Sequence, residues 1–285
     1  MALRRQKGVT ALLVGPAAAF FLLLLVLPLV VVVIYSFGER GPAGGYTPAF
    51  TFDNYLNIAS RGQAFLNTLM MAPLGTLLCA LVAYPMAYYL AVKAPARWRV
   101  MLLVLIIVPF WASQLLRIYA WLLILGNRGI PSLLELVGLE DVRLVNTRFA
   151  VLLGMVYGYL PLMIFPIYVS LEKLDKRLLE ASADLGAGAW RTFRQVTLPL
   201  SLPGVATGSL LVFILLMGEF IIPALLGGGK VFFIGNALVD LFLQSRNWPF
   251  GAAVAVSIVA IMLATIAVYM RFLLGRNQLR QEALI

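Results

Sequence analysis

Six long apolar stretches, each able to cross a bilayer, constrain this chain more than any other feature. A helix rises about 1.5 Å per residue, so roughly 20 apolar residues cover the hydrocarbon core of a membrane. Such stretches lie at about 11–37, 65–92, 98–125, 149–171, 203–226 and 251–274. Lipid offers no water to backbone N–H and C=O groups, which leaves helices or closed barrels as the spanning structures. Runs such as Phe20 to Val33 do not alternate as barrel strands do, so the expectation is an all-α integral membrane protein with six transmembrane helices. The composition agrees: only 12% of the 285 residues are charged, about half the share of a water-soluble domain. Arg4, Arg5 and Lys7 precede the first stretch as in a signal peptide. The stretch is too long for that role and lacks a small-residue cleavage site, so it is expected to be retained.

Orientation follows from the tendency of Lys and Arg to stay on the cytoplasmic side. With the N-terminus inside, fourteen of the 22 Lys and Arg fall on inner segments and seven on outer loops, with Arg117 inside a span. Five of the 12 acids are inner, six are outer, and Glu219 is inside a span. The net charge of +10 is therefore almost wholly cytoplasmic and records insertion, so no nucleic-acid surface is needed to explain it. Both termini are expected on the cytoplasmic side of the membrane.

What the chain lacks narrows its chemistry. It has no histidine and a single cysteine, Cys79, set in an apolar run. Serine or cysteine nucleophiles paired with histidine, histidine metal sites and internal disulfides are excluded. No catalytic or metal-binding residue is assigned, and an intramembrane enzyme lacks an acid, base and nucleophile set. A secondary transporter would show paired discontinuous helices in repeated halves and a relay of ionisable groups, neither of which is visible.

The longest inner loop, Leu171 to Gly204, alternates charged and apolar positions at helical spacing. Glu172, Lys176, Glu180 and Asp184 recur every four residues, and Leu174, Leu178, Ala181 and Leu185 form another face. One helix is predicted from near Asp175 to Leu185, stopped by Gly186, and a second from Trp190 to Val196, ending before Leu198-Pro199. The small residues Ala187, Gly188 and Ala189 at the bend let another backbone approach. Gly154 with Gly158, and Gly204 with Gly208, signal close helix packing. Prolines at 109, 161, 166 and 223 are expected to kink or interrupt their spans.

Glu180, Ala181, Ser182, Asp184, Leu185, Gly186 and the later Leu198-Pro199 resemble the EAA loop of ABC importer permeases, with Ser182 where alanine is usual. The resemblance covers residues 65–273 and implies the type I (MetI-like) permease fold: a tail, first span and outer loop over 1–64, a five-helix core, and a tail over 274–285. It further implies that residues 180–199, with Glu180, Ala181, Ser182, Asp184, Leu185, Gly186 and Ala187, form a coupling helix seated on a dimeric cytoplasmic ATPase. No Walker motif is present, so ATP and Mg belong to that partner and the chain itself carries no cofactor. A homologous second permease and a periplasmic or lipid-anchored substrate-binding protein complete the implied assembly.

A narrower resemblance is to spermidine/putrescine permeases, carried by Pro109-Phe-Trp, Leu116-Arg-Ile-Tyr-Ala-Trp121, Tyr157 to Pro161, Gly218-Glu-Phe-Ile-Ile-Pro223 and Arg246-Asn-Trp-Pro249. Permeases for opines and other small solutes share much of this pattern, and Ala224 departs from the acid that many polyamine permeases carry there. Glu219 and Arg117 are the ionisable residues within spans, at similar depth in the outer half, where such groups mark function by default. Glu219 is expected either to receive an ammonium group of a cationic solute or to pair with Arg117. Trp111, Tyr119, Trp121, Tyr157 and Tyr159 are the candidate aromatic faces beside it.

Overall fold

A computed structural model describes residues 14–139 and 141–282, with side chains up to residue 271. Arg4, Arg5, Lys7, the first residues of the first stretch, Glu140 and the side chains of Arg276, Arg280 and Glu282 lie outside the described residues.

The apolar stretches form helices. The first, α1 (Val14–Ser36), contains a π turn at Leu22–Val26 that ends two residues before Pro28. Proline lacks an N–H and crowds the preceding turn, and a widened turn relieves both problems. A two-stranded hairpin follows, β1 (Glu39–Arg40) and β2 (Tyr46–Thr47), with Glu39 opposite Thr47. Helix α2 (Asp53–Lys93) is 41 residues long and ends in a second π turn. Next come α3 (Ala96–Trp111), α4 (Gln114–Leu125), the short α5 (Ile130–Glu135) and α6 (Arg148–Glu172). Then follow α7 (Lys176–Asp184), α8 (Ala189–Met217), α9 (Ile221–Leu226), α10 (Ile234–Val239) and α11 (Trp248–Glu282).

Three features differ from the sequence expectation. The span placed at 98–125 is not one helix, because the chain turns by 91° between α3 and the segment that begins at Gln114. Pro109 lies three residues before that break, whereas Pro161 and Pro166 leave α6 continuous. The span placed at 203–226 begins earlier and stops at Met217, and α9 is a separate piece beyond Gly218. The second loop helix does not end before Leu198-Pro199, since Ala189–Met217 is one helical run. A π turn at Phe193–Thr197 admits Pro199 without a break, by the same relief as at Pro28.

By contact the described chain forms two compact units. One contains residues up to Gly62 and from Ala237 onward, so the last span groups with the first. In it α1 packs on α11, while Phe20 to Val26 of α1 remain exposed and suited to lipid. The segment that follows α1 in this unit is pinned by Tyr35 stacked on Tyr46 at 4.2 Å, by Asn54 Nδ2 donating to the Ser36 and Gly38 carbonyls, and by Arg61 paired with Asp240 at 2.9 Å.

The other unit, Gln63–Asn236, is built around the pair α6 and α8. Met155, Met163, Ile164, Ile167 and Leu216 are fully buried there. A side chain at Gly204 would collide with the Pro166 carbonyl and Ser170, and one at Gly208 would meet Met163 Sδ at 2.9 Å. This glycine pair therefore sets the α6–α8 approach, as its spacing suggested. Gly154 instead makes room for the side chains of Leu226 and Ile222 on α9.

Candidate functional site

Both intramembrane ionisable residues sit beside helix breaks. Glu219 lies in the step Gly218–Phe220 between α8 and α9 and is 5% exposed. The break frees backbone N–H groups at the start of α9, and buried donors without acceptors are costly. Glu219 Oε1 accepts from the amides of Phe220, Ile221 and Ile222 at 3.0, 2.8 and 3.2 Å. Its Oε2 accepts from Gln114 Nε2 at 3.1 Å and from the Tyr159 hydroxyl. An ionised carboxylate has about four lone-pair sites, so five donors saturate it.

No ion pair between Glu219 and Arg117 is present among the described residues, where the pairs are Arg61–Asp240 and Arg99–Glu172. Arg117 Nη1 reaches the Gly158 carbonyl at 3.4 Å, its guanidinium carbon lies 5.6 Å from the centre of the Phe110 ring, and Nε is buried without a partner. The acid's need for donors is met by backbone amides that the continuous-helix expectation had not freed.

The candidate aromatic residues divide. Trp121 and Tyr157 meet edge to face at 5.5 Å, and with Gln114 and Arg117 they line a hollow no larger than a single water. Tyr159 joins the Glu219 cluster. Trp111 and Tyr119 are 81% and 54% exposed and stand on the outside of this chain. Gln114, the first residue of α4, was missed by a search for ionisable groups, although a lone amide in an apolar run is a detectable signal. Asn67, Thr68 and Asn236 were missed in the same way. Asn67 donates to the Phe232 carbonyl, Thr68 accepts the Ile234 amide, and Asn236 donates to the Phe220 carbonyl. Together these side chains hold the segment 218–236, whose non-helical stretches on either side of α9 require partners inside a protein at membrane depth.

The loop after α6 forms as its sequence indicates. Asp175 caps α7 by accepting the Arg177 amide at 3.0 Å. At the other end Gly186 has φ +76°, the Gly186 amide donates to the Ala183 carbonyl, and the Ala187 amide to that of Ser182. These two bonds and the left-handed glycine make a Schellman stop. Ser182 and Thr192 then tie α7 to the start of α8 by a hydroxyl pair at 2.9 Å. Glu180, Ala181 and Asp184 are exposed, and Ala187 is half-buried. Leu178, Leu185 and Trp190 are 47%, 88% and 72% exposed, an apolar surface left uncovered by the described residues. Beside it a hollow of about 540 Å³ is lined by Lys93, Leu179, Ala183, Trp190 and Phe193.

Comparison with known proteins places these features in context. Residues 83–278 match the family model described as binding-protein-dependent transport system inner membrane component. The spermidine/putrescine transport system permease protein PotB of Haemophilus influenzae is 42% identical over 241 residues, covering 83% of this chain and 84% of that one. The inner membrane ABC transporter permease protein YdcU of Escherichia coli is 36% identical over 242 residues, covering 79% of this chain and 76% of that one. Among solved structures, a chain of a bacterial alginate ABC transporter, crystallised in complex with an alginate pentasaccharide-bound periplasmic protein, has a TM-score of 0.75 at 16% identity. It covers 94% of both chains and shows a shared fold.

Proposed function

We propose that this chain, which belongs to the binding-protein-dependent transport system inner membrane component family, is the permease subunit of an ATP-driven importer that carries a polyamine such as spermidine or putrescine. The observation that carries the substrate is the 42% identity to a spermidine/putrescine permease across most of both chains.

The chain performs no bond chemistry in this scheme. Its exposed α7 hairpin, with Leu178, Leu185 and Trp190 uncovered, is the docking element for an ATPase that binds ATP and Mg on its own residues. Closure of that dimer on ATP pulls the hairpins, and the tighter affinity of ATP for the closed dimer supplies the bias between inward-open and outward-open arrangements. Ser182 bonded to Thr192 makes α7 and α8 a continuous lever, so a pull on the hairpin reaches the α8–α9 break. A second, homologous permease completes the pathway, a substrate-binding protein delivers the solute from outside, and both termini face the cytoplasm. Trp121 and Tyr157 offer ring faces to an ammonium group, and the exposed Trp111 and Tyr119 are placed to face the second permease or the pathway.

A second reading, the same class of importer acting on another small solute, is favoured by one observation. Glu219 already carries five donors and Arg117 leaves a buried Nε unpartnered, so the ionisable groups of this site do not present a free anion to a polycation. Identification of the binding protein that copurifies with this chain, followed by calorimetry with spermidine, putrescine and neutral or anionic solutes, separates the two. Binding of the polyamines alone supports the first reading; binding of a neutral or anionic solute alone selects the second.

A further inference from the structure

Two apolar spans of this protein are broken, and one carboxylate touches both breaks. The first break turns the chain by 91° at Ala112–Ser113, and Gln114 is the first residue beyond it. The second separates α8 from α9 at Gly218–Phe220. Glu219 Oε1 collects the three amides that open α9, and Oε2 holds Gln114 and the Tyr159 hydroxyl from the middle of α6. With Glu219 5% exposed, no water stands ready to replace a lost donor. Separating α4 from α9 would strand a charged acceptor on one side and an amide donor on the other. Bonds to an ionised group in such a place are about twice as strong as neutral ones.

We propose that Glu219 is a positioning residue that pins α4 to α9, so that the two broken spans move as one body and substrate does not contact this carboxylate. The proposal rests on the alternating-access reading above for the motion, while the pin itself is a property of the resting protein.

The test uses the assembled transporter in lipid nanodiscs, with Cys79 replaced by alanine and spin labels at cysteines introduced for the exposed Leu123 on α4 and Ala224 on α9. The pin predicts one narrow label separation that is the same in the resting and ATP-trapped states. It also predicts that Glu219→Ala broadens this separation already at rest. Glu219→Gln keeps an oxygen acceptor for the amides, and its NH2 can donate to Gln114 once that neutral amide flips to present its oxygen, so it should keep the separation narrow and leave the apparent KM for the transported solute within about twofold. If Glu219→Ala does not assemble, Gln114→Leu, which removes the link to α4 alone, should show the same broadening. A separation that shifts between states in the parent, an unaltered distribution in Glu219→Ala or in its substitute, or a rise in KM of about tenfold at constant Vmax in Glu219→Gln overturns it. Uptake that needs no ATP would instead sink the functional reading and leave the resting-state comparison intact.

Discussion

Gln114 donates its side-chain amide to the Glu219 carboxylate at 3.1 Å, joining the start of α4 to the break before α9. Loss of a partner to a buried charged acceptor costs about 1–3 kcal/mol. Gln114→Leu is therefore expected to lower the thermal unfolding midpoint of the detergent-solubilised protein. Tyr159→Phe, which removes the other donor to Oε2, should do so to a similar extent. Because both donors share one oxygen, the double variant should lose more than the two single losses added together. Simple additivity in a double-mutant cycle would show that the two donors act independently.

Gly204 and Gly158 are both glycines in spans, yet their surroundings differ. A Cβ at Gly204 would strike the Pro166 backbone carbonyl, and one at Gly158 would meet only Ile222 Cδ1 at 3.8 Å, an ordinary contact. Gly204→Ala is expected to destabilise the α6–α8 pair by about 1–3 kcal/mol or more. Gly158→Ala should stay within about 0.5 kcal/mol of the parent. Thermal melts of the two variants side by side check the ranking, and equal melts would contradict the packing described for α6 and α8.

At Gly186 the constraint is the backbone, since φ is +76° and, among the described residues, no heavy atom outside its own turn lies within 4 Å of an added Cβ. Any other residue costs about 1–2 kcal/mol in this conformation. If α7 docks the ATPase as proposed, the partner approaches through this open space, so a long side chain adds a second, larger effect. Gly186→Ala should reduce solute-stimulated ATP hydrolysis partially and Gly186→Arg should uncouple transport. Normal uptake by Gly186→Arg would remove the coupling role from α7.

Leu185 is 88% exposed and contributes almost nothing to the core of this chain. Leu185→Asp should leave expression and thermal stability unchanged while preventing copurification of the ATPase. Retained ATPase at parental stoichiometry would mean that this apolar surface meets something else.

The helical membrane architecture and the α7 hairpin were legible because each depends on local pattern. Apolar length, the Asp175 cap and the Gly186 stop need no knowledge of distant residues. Kinks or interruptions were expected at Pro109, Pro161, Pro166 and Pro223 alike, and what was not legible is that the chain breaks near Pro109 and Pro223 while Pro161 and Pro166 leave α6 unbroken. Which proline breaks a helix depends on whether neighbouring side chains satisfy the freed backbone groups. Glu219 does this at one break and nothing in a hydropathy scan announces it. The same cause explains the role of Glu219, which was singled out for its charge, with a solute ammonium group or Arg117 at similar depth as its two expected partners. Its real partners are amides exposed by a break, together with two neutral side chains, Gln114 and Tyr159, that a search for charge passes over.

The coupling and pathway roles assigned above depend on ATP-driven polyamine transport through this chain. It is tested most directly by uptake of labelled spermidine into proteoliposomes that contain the chain with its second permease, its ATPase and its binding protein. Accumulation is expected to require ATP and the binding protein together and to disappear in Gly186→Arg. Spermidine accumulation driven by an ion gradient without ATP, or ATP-dependent uptake of another solute with none of spermidine, would contradict it.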